Sequence, residues 1–100
     1  MMNEKSIFYE IQSNKENILH IAEKHGAHNV RIFGSVSRGE ENDKSDIDFL
    51  VDFVQGSSLV DLIKVKQALE DLLGRKVDVV TEKALHPRIR PIVLKEAVKL

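Results

Sequence analysis

The sequence predicts an α/β (α+β) fold, a β-sheet flanked by helices, and three observations lead there. Amphipathic stretches alternate with short apolar runs, in the order helix, strand, short helix, strand, helix, strand, helix. Gly26, Gly34, Gly74, Pro87 and Pro91 punctuate that alternation where elements should end or begin. Hydrophobic content of 42% and charged content of 31% suit an ordinary globular chain, and 100 residues suit a single domain over 1–100.

The elements follow in order. Residues 1–12 are open: Ile7, Phe8 and Ile11 allow an extra helical turn or two. Ser13 with Glu16 matches a capping box, Ile18, Leu19, Ile21 and Ala22 follow, and Gly26 is a natural stop, which predicts a helix over 13–25. Residues 29–33 read as a strand ending at Gly34-Ser35, with a brief helical turn from Ser35 and a polar loop from Gly39 to Lys44. The second strand spans 45–53, with Ile47, Phe49 and Val51 on one side and Asp46, Asp48, Leu50 and Asp52 on the other. Residues 55–58 form a turn that also caps the next element. The clearest helix covers 59–73, its stripe Leu62, Val65, Leu69 and Leu72 widened by Ile63 and Leu73, and Gly74 ends it. A third strand covers 76–80, and a last helix covers about 88–98, with Pro91 in its first turn. The first two strands are joined by about 11 residues, which suits an antiparallel hairpin or a short crossover equally.

Composition narrows the function. Net charge is −1, so no global basic field holds nucleic acid, and nucleic acid is not expected as a direct substrate. There is no cysteine, which excludes disulfides and thiolate metal sites. The start, MMNEKSIFYEIQ, does not read as a signal peptide, and no apolar stretch approaches the ~20 residues of a membrane span. A cytoplasmic location and no membrane partner are expected.

The chemistry concentrates between Phe33 and Asp52. A Gly at the end of a strand lets backbone N–H groups approach a phosphate, and the Ser35 hydroxyl can add a bond; a plain turn with a Ser cap is the alternative. Asp46 and Asp48 are separated by one residue, so in a strand they share a face, ~7 Å apart at the Cα atoms. Asp is disfavoured inside strands, and two carboxylates at ~4 Å repel by ~4 kcal/mol at a dielectric near 20 unless a cation lies between them. Oxygen-only ligands favour Mg²⁺ or Mn²⁺. Asp78 interrupts the apolar Val77-Asp78-Val79-Val80 run, and it joins the other two if its strand lies beside theirs; otherwise it faces solvent or pairs with Arg75 or Lys76. Arg38 can clamp a phosphate or be a solvated surface residue. Asp52 lies ~13 Å beyond Asp48, too far to share an ion, and His20, His25, His28 and His86 read as surface histidines.

The composite motif Gly34-Ser-Val-Ser-Arg38-Gly39, five residues, then Ser45-Asp46-Ile47-Asp48, resembles the signature of the DNA polymerase β-type nucleotidyltransferase superfamily. Leu73-Gly-Arg-Lys-Val-Asp78-Val-Val80 is similar to the third-carboxylate strand of its smallest branch, the minimal nucleotidyltransferases. The similarity runs from about Val30 to the C-terminus with no departure at a motif position. It implies a mixed sheet on which Asp46, Asp48 and Asp78 hold two Mg²⁺ ions, Mn²⁺ being an alternative, with Asp78 also helping to deprotonate the attacking hydroxyl. It implies that Gly34, Ser35, Arg38 and Ser45 meet the phosphates of ATP. It further implies transfer of AMP to a partner HEPN-domain toxin, at a tyrosine hydroxyl, so that the chain acts as an antitoxin. The chain is too short to bring a second domain for a small acceptor, which also points to a protein acceptor. The rival expectation is a non-catalytic binding module that neutralises its partner by masking it.

Overall fold

In the computed structural model, residues 7–37 and 46–100 are described. Two helices, α1 (Ile7–Ser13) and α2 (Lys15–Lys24), lead into β1 (Ala27–Phe33). After the Gly34 turn come β2 (Ile47–Phe53), α3 (Leu59–Leu73), β3 (Val77–Val80), a 3-10 turn at Glu82–Ala84, α4 (Arg90–Glu96) and β4 (Val98–Lys99). The sheet is mixed, in the order β3-β2-β1-β4. β1 runs antiparallel to β2 and to β4, whereas β2 and β3 are parallel, with α3 as their crossover. The connection between the first two strands therefore makes an antiparallel pair.

Strand alternation sorts the apolar residues onto two faces. Ile32, Ile47, Phe49, Val51, Val77 and Val79 join Ile11, Ile18, Val65 and Leu69 in the main core, beneath α1, α2 and α3. Leu50 lies on the other face, buried with Leu85 and Val93, and Phe33, Val80 and Ala97 pack against that smaller cluster. The division of the second strand between two faces is as the sequence predicts.

Several expectations need correction. The helix predicted over 13–25 is two helices, and Ser13 ends the first rather than capping the second. Asn14 is the N-cap of α2 and makes no side-chain cap bond. The cause is burial: Ile7, Ile11, Ile18 and Ala22 form one continuous buried stripe, which carries helix back past the Ser13–Glu16 signal. Ile63 does not widen the core stripe of α3 but is 42% exposed. The last helix is shorter than predicted, and the chain after it forms β4, whose two residues are too few to leave a periodic signal. The remaining stops hold. Gly26 and Gly74 adopt left-handed φ angles of 81° and 66°, Asp61 accepts the Ser58 N–H at 2.9 Å to cap α3, and Pro91 lies in the first turn of α4.

Candidate active site

The row of strand partners Phe33–Asp48–Asp78 crosses β1, β2 and β3 at one end of the sheet. Asp48 and Asp78 are thus neighbours on adjacent strands, whose backbones lie ~4.8 Å apart. Their sequence neighbours Ile47, Phe49, Val77 and Val79 are buried on the core side at 4% exposure or less, so both carboxylates project from the opposite face. Asp48 is half-buried and Asp78 exposed. Asp46 is exposed, directly before β2. Among the described residues no group of three His, Cys, Asp or Glu side chains is drawn together as an ion site. The register brings Asp48 and Asp78 side by side, and Asp46 precedes the first paired residue of β2. All three donors are carboxylate oxygens, a set that suits Mg²⁺ or Mn²⁺ and no softer metal.

Gly34 follows Phe33 and opens a turn at residues 34–37. Its φ is +78°, and a Cβ there would run into Asp48 Oδ2. Only glycine allows the turn backbone to lie this close to the carboxylate. Val36 pins the turn by entering the main core at 2% exposure, and the Ser37 hydroxyl donates to Gly34 O at 2.8 Å. Ser35 sits half-buried in the turn. Arg38 and Ser45 lie outside the described residues.

One residue here is invisible to motif reading. Glu96, at the end of α4, accepts the Gly34 N–H at 2.9 Å. Its approach depends on α4 docking over Leu50, a long-range event without a local pattern.

The other end of the same face is structural. Asp52 accepts from Arg31 at 3.1 Å and from the Asn29 amide at 2.9 Å, and Glu82 lies 3.7 Å from Arg31. Asn29 itself has a φ of 52° where the β1–β2 register shifts, a conformation Asn tolerates. Asp52 therefore serves a bulge and its ion pairs. A cavity of about 480 Å³ opens there, beside Asp52, Ser57 and Thr81. The carboxylates and the glycine turn meet at the Asp48–Asp78 row. Arg75, considered as a partner for Asp78, pairs with Glu10 at 3.1 Å.

Comparison with known proteins bears on the family and the fold. Residues 15–100 match the model of the nucleotidyltransferase domain. The chain belongs to the nucleotidyltransferase family. A Methanocaldococcus jannaschii protein named as a candidate protein adenylyltransferase is 46% identical over 88 residues, 88% of this chain and 95% of that one. The protein adenylyltransferase MntA of Thermococcus cleftensis is 41% identical over 78 residues, 78% of this chain and 79% of that one. Among solved structures, one described as a candidate minimal nucleotidyltransferase superposes with a TM-score of 0.85 at 43% identity, covering 100% of both chains. A toxin–antitoxin structure with AMP-PNP shares the fold, with a TM-score of 0.73 at 22% identity over 86% of this chain and 71% of that one. Among the described residues no helix is long and apolar enough to cross a membrane.

Proposed function

We propose that this nucleotidyltransferase is a Mg²⁺-dependent protein adenylyltransferase, a single cytoplasmic domain over 1–100 that transfers AMP from ATP to a tyrosine hydroxyl of a HEPN-domain toxin and so acts as its antitoxin. The observation that carries the reading is the register of Asp48 with Asp78 beside the Gly34 turn. The names of the similar proteins support the adenylyl group as what is transferred.

The acceptor oxygen attacks the α-phosphorus of ATP, the bond from that phosphorus to the bridging oxygen of pyrophosphate breaks, and AMP remains on the acceptor as a phosphodiester. Asp78, exposed at the rim, is suited to take the hydroxyl proton. The N–H of Gly34 and the Ser35 hydroxyl receive the distal phosphates, with Arg38 and Ser45 completing the cradle. Asp46, Asp48 and Asp78 would hold two divalent ions, which neutralise charge and polarise the phosphate oxygens. ATP brings about four negative charges to a face that already carries three carboxylates, so the reaction depends on those cations.

A second reading, neutralisation by masking, is favoured by Leu59 and Ile92, 70% and 61% exposed on α3 and α4. One experiment separates the two. Labelled ATP, Mg²⁺ and the partner toxin are incubated with wild type and with Asp46→Ala/Asp48→Ala, and toxin activity is measured alongside label transfer. Loss of both label and neutralisation in the variant is expected. Label transfer retained by the variant would sink the catalytic assignment, and neutralisation without label would make masking the function.

A further inference from the structure

Glu96 reaches Gly34 across 62 residues of sequence, and the contact is anchored on both sides. Val93, one turn earlier on α4, is 5% exposed in the cluster with Leu50 and Leu85. Two residues after Glu96 the chain pairs Val98 with Ile32 of β1. The backbone around Glu96 is therefore tied to the strand that ends at Gly34. Asp48 takes the other flank of the same glycine. An anionic side chain is thus held on the turn N–H of a glycine that Asp48 also approaches.

An N–H that binds a carboxylate is equally suited to a phosphate oxygen. Two anions cannot both take that one donor at full strength. We infer that Glu96 is an internal competitor for the phosphate site: it holds the Gly34 N–H until the nucleotide's phosphate displaces it, and so sets how tightly the triphosphate binds. This rests on the reading that the Gly34 turn receives phosphate. In this role Glu96 touches no reacting atom. It acts through the Gly34 N–H, lowering the affinity for nucleotide by the cost of its own displacement.

The test follows the Gly34 amide resonance of the isotopically labelled full chain during titration with AMP-PNP and Mg²⁺. Glu96→Gln keeps an acceptor of the same length and removes the charge, so the dissociation constant is expected to fall about tenfold while Gly34 still responds. Glu96→Ala, lacking charge and acceptor, is expected to bind more tightly than wild type as well. Asp71→Asn, which removes an exposed acid on α3, is expected to titrate as wild type. A Gly34 response in Glu96→Gln at the wild-type constant or a weaker one overturns the competitor role and leaves the phosphate reading standing. Equal tightening in Asp71→Asn overturns it too, by reducing it to net charge. A Gly34 resonance that moves in none of the proteins overturns both readings.

Discussion

At the scale of single residues, the proposed site is a set of broken local rules. Asp48 and Asp78 stand in strands most of whose other positions are buried, and Asp is disfavoured there. That conflict is why both were legible in the sequence. Gly34 was legible for a similar reason, since a strand followed directly by Gly-Ser calls for a turn only glycine makes freely. Its requirement is now specific: φ is +78°, and a Cβ would meet Asp48. Gly34→Ala should therefore lower stability by about 1–3 kcal/mol, read as a shifted urea midpoint, and should weaken nucleotide binding by displacing Asp48. An alanine variant with the wild-type midpoint and affinity would mean that neither the turn nor the approach constrains the site. Glu96 was not legible, because a Glu in the last turn of a helix looks like any solvated acid until α4 is docked over Leu50.

At the scale of elements, boundaries were legible where the stop is chemical and illegible where burial decides. Gly26, Gly74 and Pro91 act through backbone geometry and hold their predicted places. Ser13 offered a cap, and the Ile7–Ile11–Ile18–Ala22 stripe overruled it. α3 and β3 show a further link between elements. Glu70 accepts the Val77 N–H at 3.0 Å, and Lys66 lies 3.4 Å from the same carboxylate oxygen. The Val77 bond is the main cause of a pKa lowered from the ordinary 4.5, with Lys66 and Lys76 adding to it against partial burial. A carboxylate whose folded pKa is depressed stabilises the fold above its unfolded pKa, and the contribution is lost as pH falls through the folded value. Glu70→Gln should thus melt below wild type at neutral pH, and the gap should close as pH drops below 4.5. Melting temperatures measured from pH 7 to pH 3 check this, and a gap that stays constant would show that the bond owes nothing to the charge.

At the scale of the whole molecule, the sheet has a full core on one side and a partial one on the other. The alternation within the second strand foretold the division, but not what would lie on the second face. β4 and the docking of α4 come from long-range contacts that a short apolar run cannot announce. That second face is where the carboxylates sit, so α4 has to be held firmly without covering them. Leu50, Leu85 and Val93 do this, and Val98 ties the end of the helix to β1. Val93→Ala removes two buried methyl groups, and about 1–3 kcal/mol should be lost. The consequence should also reach Gly34, because Glu96 is carried one turn further along the same helix. Hydrogen exchange at the Gly34 N–H should therefore accelerate more than exchange at Val51 or Val79, which belong to the main core. Exchange that rose equally at all three would place the loss in global stability, whereas a selective rise at Gly34 would show that the three-residue cluster on the second face of the sheet governs the turn proposed to bind phosphate.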